Sequence, residues 1–160
     1  MASFIGKETF TLDNKGRVSV PAKMRKSIPA EAENTFRIMR GMDKCIFAYP
    51  INIWNEKYQP KLDNLNQFNS KNRVALRNLN EWSEDIVLDT QQRMTLPKEL
   101  LELAGIDGKI IVLGVSDHIE FWCPENYERY KNDYENYINE NDASYEAILE
   151  EVFSSTQSAC

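Results

Sequence analysis

One stretch of this chain occurs twice. Leu12 to Arg25 reads LDNKGRVSVPAKMR and Leu88 to Leu101 reads LDTQQRMTLPKELL, so Leu-Asp, Arg and Pro recur at identical spacing. Repetition constrains a fold more than local propensity does, because a repeated unit implies a repeated piece of structure whose apolar face a twin can complete. It also continues. FRIMRGMDKCIFAYP (Phe36 to Pro50) follows the first copy and IIVLGVSDHIEFWCP (Ile110 to Pro124) follows the second. Each is an apolar strand-like run, a Gly-containing turn and a second run with aromatics. Each copy reads as strand, tight turn, strand, Pro, short helix and second hairpin: a ββαββ unit, made twice.

In the first copy Phe10 and Leu12 alternate on one strand and Val18 and Val20 on the next, flanking the loop Asn14-Lys15-Gly16. The pattern predicts two half-buried strands joined by a three-residue hairpin loop, with Gly16 where a positive φ is needed. In that register Asp13 and Arg17 face each other and form an ion pair that fixes register more than it stabilises. Pro21 opens a helix at its first position, so PAKMRKSI is expected to be helical. Lys23 and Lys26 then project at i and i+3 with Arg25 beside them. The motif presents positive charge on its loop and helix.

The second copy keeps Asp89, Arg93 and Pro97 but has Gln92 in place of Gly16. A side chain in the left-handed region costs about 1 kcal/mol, so either this turn is strained or its geometry differs. Its helix, PKELLELAG, exchanges the basic cluster for Leu100, Leu101 and Leu103, with Gly105 placed as C-terminal cap. This copy reads as packing and assembly first, ligand contact second. Between the copies, one helix is expected from near Ile51, interrupted around Pro60, and another over 70–82. After the second copy, Tyr127, Tyr130, Tyr134, Tyr137 and Ile138 stand at helical spacing. Asp142 is expected to cap a last acidic, amphipathic helix, and SSTQSAC to be a frayed tail.

The net charge of −6 speaks against a uniformly basic nucleic-acid binder, but it hides a polarity. Residues 1–80 hold 14 Lys or Arg against 7 Asp or Glu, whereas residues 81–160 hold 5 against 18. Such a chain can carry a local anion-binding face, and it equally suits head-to-tail self-association. Cys45, Cys123 and Cys160 are odd in number and far apart, which indicates neither a disulfide framework nor a zinc site and favours a reducing cytoplasm. The N-terminus lacks the pattern of a signal peptide and no apolar run reaches membrane-spanning length, so a soluble, intracellular protein is expected.

The arrangement resembles the MraZ family, regulators from the bacterial division and cell-wall gene cluster built from two AbrB-like (SpoVT-AbrB) repeats. Asp13-Asn14-Lys15-Gly16-Arg17 followed by Val20-Pro21-Ala22-Lys23-Met24-Arg25 carries the resemblance, with Asp89, Arg93, Pro97, Gly114 and Asp117 to Trp122. It covers about residues 6–138. Gln92, the poorly basic second helix and the acidic helix after about Asn141 depart from the pattern.

The resemblance implies an α+β fold: two pseudo-symmetric ββαββ repeats in one β-rich core, with flanking helices and a C-terminal extension. The expected divisions are repeat 1 at 7–53, a helical connector at 54–82, repeat 2 at 83–126 and a helical extension with tail at 127–160. It further implies a sequence-specific DNA-binding transcriptional regulator, cytoplasmic and nucleoid-associated, with no enzymatic activity and no cofactor. Promoter direct repeats in double-stranded DNA and a ring-shaped homo-oligomer are the implied partners, avidity over several modules compensating for weak single contacts. Arg17 is assigned to phosphate or guanine contact, with Asn14 and Lys15 at the loop tip, Lys23 and Arg25 on the helix nearby and Arg93 as an accessory. Asp13, Gly16, Pro21, Asp89 and Pro97 shape the loops.

Plainer readings stand beside these. The Asp/Arg pairs also serve as structural ion pairs, and a Lys/Arg cluster is commonly a solvated face. His118, the single histidine, reads as a core or edge residue, and the helical tyrosines as packing surface. No nucleophile–base pair, metal cluster or phosphate-cradling glycine loop supports an enzyme. The alternative is an oligomeric interaction module without DNA affinity.

Overall fold

Strands of the two copies pair with each other more than within themselves. The computed structural model describes residues 3–141 and 144–157. Its strands are β1 (Lys7–Thr11), β2 (Arg17–Ser19), β3 (Thr35–Arg40), β4 (Ile46–Pro50), β5 (Glu84–Val87), β6 (Arg93–Thr95), β7 (Lys109–Val115) and β8 (His118–Trp122). Six form an antiparallel sheet in the order β1-β7-β8-β4-β3-β5, and β2 pairs β6 in a separate two-stranded ribbon. Exchanging every first-copy strand for its counterpart reverses the sheet order into itself. The duplication is therefore a pseudo-two-fold axis, which passes between β4 and β8 and through the Val18–Met94 pair of the ribbon.

The hairpin expected between β1 and β2 does not form. The turn is made, since Gly16 N–H donates to the Asp13 carbonyl (3.1 Å) and Asp13 N–H to that of Arg17 (3.2 Å). Beyond Arg17 the strands part: β1 joins β7, with Phe10 opposite Ile110, and β2 joins β6. Alternation sets which face a side chain takes but not which strand it pairs with. A lone two-stranded hairpin is marginal, and exchange lets each copy complete the other's apolar face.

The main core lies between the ribbon with its following helices and one face of the sheet. Phe36, Ile38, Ile46, Ile110, Val112, Ile119 and Phe121 of the sheet meet Val18, Val20, Met94 and Leu96 of the ribbon region and Met24 and Leu100 of the helices, all buried. Each such side chain contributes about 1.5–3 kcal/mol on burial. On the opposite face Met39, Tyr49, Ile53 and Trp54 form a second cluster, with Phe47, Tyr58, Leu62 and Leu79 against it.

Helix α1 (Ala22–Arg25) is one turn long, shorter than expected, because Pro29 follows and a 3-10 turn at Ala30–Ala32 redirects the chain. Pro21 precedes its first helical residue rather than occupying it. The expected break near Pro60 is a change of pitch: α2 (Ile51–Ile53) runs into a π turn (Trp54–Tyr58) and then α3 (Gln59–Asp63). Helix α4 (Ser70–Glu81) is capped by Asn69, whose side chain accepts from Lys71 N–H (2.9 Å) and Asn72 N–H (3.3 Å). Helix α5 (Lys98–Ala104) ends at Gly105, φ 69°, with Ile106 N–H closing onto the Leu101 carbonyl at 2.9 Å.

Residues 1–124 make one unit and residues 125–160 another. The second contains α6 (Pro124–Asn141), which starts at the boundary, and α7 (Tyr145–Gln157). Ser144 caps α7 by accepting from Ala147 N–H at 3.1 Å; Asp142, the expected cap, lies outside the described residues. The tail expected from Ser154 is helical as far as Gln157. Among the described residues no helix is long and apolar enough to cross a membrane.

Candidate nucleic-acid interface

The two loops have one construction. Asp13 Oδ1 accepts from the backbone N–H of Lys15 and of Arg17, both at 2.9 Å, and Oδ2 accepts from Arg17 Nε at 2.5 Å. Asp89 repeats this on Gln91 N–H and Arg93 N–H, both 2.9 Å, and on Arg93 Nε at 2.8 Å. Each carboxylate thus folds its own loop and holds the guanidinium by one edge. The Arg17 backbone N–H above all, helped by its guanidinium and by Lys15 N–H, outweighs partial burial and holds the Asp13 carboxyl down at about 2. The same bonds from Arg93 and Gln91 lower that of Asp89.

The two alternatives for the second turn are resolved: Gln92 takes the position of Gly16, with φ 61° against 75°. The loops also tie the copies together. Leu96 N–H donates to the Gly16 carbonyl at 2.9 Å, and Val20 N–H to that of Gln92 at 3.0 Å. Holding φ at Gln92 keeps this symmetric bond, which accounts for a strained turn.

Between the loops runs the ribbon, with Arg17 opposite Thr95, Val18 opposite Met94 and Ser19 opposite Arg93. Val18 and Met94 point into the core, so Arg17, Ser19, Arg93 and Thr95 share the outward face. Arg17 and Arg93 are diagonal neighbours, roughly 7–8 Å apart in backbone position. Their side chains remain about a quarter exposed, and their Nη nitrogens make no hydrogen bond to a described residue. A two-stranded ribbon fits the major groove of B-DNA, and a guanidinium with free Nη groups can donate to guanine O6 and N7 or to phosphate.

Of the other expected contact residues, Asn14 and Lys15 stand exposed at the loop tip. Lys23 and Arg25 are exposed but anchored. The Lys23 ammonium lies over Gly6, so near that a Cβ there would fall 2.5 Å from it, and Arg25 Nε donates to the Val20 carbonyl at 2.9 Å. Pro21 is buried and Pro97 half-buried, each ending a ribbon strand. Glu99 and Leu101 occupy the positions of Lys23 and Arg25 in the second copy. The ribbon is thus symmetric in its arginines and asymmetric in its flanks.

A second polar constellation lies on the sheet face away from the ribbon. His118, 8 % exposed, places Nδ1 2.9 Å from Asp117 Oδ1 and Nε2 2.9 Å from Glu120 Oε2. Glu120 Oε1 accepts from Trp122 Nε1 at 2.9 Å. Asp117 Oδ2 accepts from Tyr58 Oη (2.5 Å) and Lys57 Nζ (3.0 Å), fastening the connector to the β7–β8 turn. The His118 ring stacks on Tyr49 at 4.7 Å. Burial disfavours the imidazolium, but the bonds to Glu120 and Asp117 outweigh it and raise the His118 pKa. A signal for part of this was present: His118, Glu120 and Trp122 alternate along one strand and so share a face. Lys57 and Tyr58, some sixty residues earlier, gave none. Among the described residues no group of His, Cys, Asp and Glu could hold a metal ion.

The family model described as "MraZ protein, putative antitoxin-like" matches residues 3–78 and 83–155. The match runs beyond the 6–138 expected from the motifs and takes in α7 as far as residue 155. The chain is 34% identical over 149 residues to the "Transcriptional regulator MraZ" of Natranaerobius thermophilus, covering 93% of this chain and 96% of that protein. It is 35% identical over 150 residues to the protein of the same name from Syntrophomonas wolfei, with the same coverage. That of Moorella thermoacetica is 33% identical over 149 residues, again 93% and 96%. With two matched segments corresponding to the two interleaved copies, and relatives aligned over nearly their whole length, the chain belongs to the MraZ family.

Proposed function

We propose that this chain is a sequence-specific DNA-binding transcriptional regulator of the bacterial division and cell-wall gene cluster type, acting without a catalytic step. One observation carries the reading: two Asp/Arg-closed loops, 76 residues apart in sequence, stand side by side so that Arg17 and Arg93 share the outward face of one ribbon. The names of the relatives support regulation. The ribbon enters the major groove; Arg17 and Arg93 contact guanine or phosphate, and Asn14 and Lys15 follow the backbone beside them. Lys23 and Arg25 have no basic counterpart in the second copy, and Arg25 adds its charge beside the second loop, since its Nε donates to the carbonyl of Val20, whose N–H donates to Gln92.

That asymmetry has a consequence for the operator. A two-fold ribbon with identical flanks would sit on DNA equally well in either direction. Lys15 against Gln91, Lys23 against Glu99 and Arg25 against Leu101 make the two directions unequal. Protomers closed head to tail into a ring would all face one way and so read direct rather than inverted repeats, with avidity from several engaged ribbons.

The test is a titration of a promoter fragment carrying short direct repeats at two salt concentrations, with particle size measured on the same sample. Retarded DNA, affinity that falls steeply with salt and a multi-protomer particle are expected. A large particle that leaves DNA unshifted even at low salt would instead identify an interaction module without DNA affinity.

A further inference from the structure

The connector carries a charged surface that the ribbon does not use. Residues 64–80 hold three Lys or Arg and no Asp or Glu. Helix α4 is oriented by Leu79, which packs against the second cluster, and none of its residues is buried. Lys71, Val74 and Arg77 recur every three residues and are exposed, Val74 to 56%. Phe68, one turn earlier, is 94% exposed. Neither Lys71 nor Arg77 has an acidic partner among the described residues. This is a basic stripe with apolar residues along it.

The complementary surface is in the same chain. Residues 125–157 hold nine Asp or Glu against two Lys or Arg, and α7 has no basic residue at all. Glu146, Glu150 and Glu151 are exposed, and Tyr145 beside them is 61% exposed. Glu146 and Glu150 are like charges at i and i+4, roughly 6 Å apart along the axis, an arrangement unfavourable to an isolated helix and relieved by cations set against it.

We infer that α7 of one copy docks on the Lys71–Val74–Arg77 stripe of α4 in a neighbouring copy. Donor and acceptor surfaces differ, so the contact is heterologous and propagates head to tail, closing a ring where the rotation allows. The inference rests on the ring in the proposed function and assigns its contact. DNA is the other polyanion α4 could hold. The packing favours the arm: Leu79 anchors α4 on the sheet face opposite the one covered by the ribbon, so a duplex on the ribbon lies across the sheet from Lys71 and Arg77.

The test uses the full chain with Lys71→Glu/Arg77→Glu, with Glu146→Lys/Glu150→Lys, and with all four substitutions together. Mass is read by light scattering near 0.15 M salt, folding by circular dichroism, and DNA binding on single-repeat and multi-repeat fragments. Each charge reversal should yield smaller particles, and the fourfold variant should regain the wild-type mass. Lys71→Glu/Arg77→Glu should bind a single repeat within about twofold of wild type but lose about tenfold or more on several repeats, as lost avidity requires. Wild-type mass in either reversal, or a folded fourfold variant that stays small, overturns the contact. Loss of single-repeat binding on reversing α4 overturns it in favour of a second DNA surface. A wild-type chain that is a single protomer fails the ring reading itself, and the contact with it.

Discussion

Arg17 and Arg93 lie on one face of a two-stranded ribbon, each two residues along from the other's cross-strand partner, and each is held through Nε by the aspartate four residues before it. The carboxylate engages Nε of each guanidinium and leaves its Nη nitrogens without a hydrogen bond to a described residue, so a single interaction closes the loop and holds the arginine while leaving it donors to spare. Arg17→Ala should weaken binding to a direct-repeat fragment by roughly 10- to 100-fold, the worth of one good bidentate base contact. Arg93→Ala should weaken it less, because Lys15 adds a positive charge to the loop of the first arginine where the loop of the second has the uncharged Gln91. A gel-shift titration of both variants at fixed salt decides. Equal losses would mean that the flanks do not rank the two halves, and no loss for Arg17→Ala would remove it from the interface.

Gly16 and Gln92 hold the same left-handed position with different residues, which separates backbone strain from side-chain contact. Gln92→Gly should stabilise the fold by about 0.5–1 kcal/mol, the relief of the left-handed penalty less the extra freedom glycine gives the unfolded chain. Gly16→Ala should destabilise it by about 1–2 kcal/mol, since a Cβ there takes on the same penalty and stands 3.2 Å from the Leu96 carbonyl. Urea unfolding of the two variants beside wild type measures both. A Gln92→Gly variant less stable than wild type would show that the glutamine side chain contributes more than its backbone costs.

The duplication, the left-handed residue at Gly16, the cap at Gly105 and the Asp/Arg pairing were legible because each is local: a turn or a cap is written in a few adjacent residues. Strand exchange was not. Phe10, Leu12, Val18 and Val20 have the same alternation whether β1 pairs β2 or β7, and the choice is made by apolar surface supplied 76–100 residues away. The one-turn length of α1 was legible in principle from Pro29, which bars the preceding residue from helix. The site was half legible. The arginines could be named, but their meeting on one ribbon depends on the exchange, and the anchoring of Lys23 over Gly6 depends on an N-terminal segment carrying no pattern of its own.

Asp13 and Asp89 make the loops acid-sensitive. Their carboxyls are held below the ordinary value of 3.8, Asp13 at about 2, so the folded chain favours the ionised form. The stabilisation is present above the unfolded value and is lost as pH falls through the folded one. Carbon-13 NMR of the side-chain carboxyls should therefore find Asp13 titrating near 2, well below the ordinary carboxyl value of 3.8. Arg17→Ala should move that midpoint upward. A wild-type Asp13 midpoint near 3.8 would mean that Asp13 does not close the loop in solution.

His118 gives the opposite dependence. With a carboxylate against each ring nitrogen, only the imidazolium satisfies both, and its pKa is raised in the fold. The groups facing it are Asp117 and Glu120 of its own turn and strand, Tyr49 and Phe47 of β4, and, through Asp117, Lys57 and Tyr58 of the connector; burial first, then the bond to Asp117, lifts the Tyr58 phenol to about 12, so it stays protonated. A group with a raised folded pKa adds stability that is complete below its unfolded value of about 6.5 and disappears as pH rises through the folded value. The melting temperature should consequently fall as pH is raised from 6 to 9. His118→Gln, which cannot take up the proton, should be less stable than wild type at pH 6 and show a flatter profile. Equal slopes for the two proteins over that interval would show that His118 does not couple protonation to the fastening of the connector.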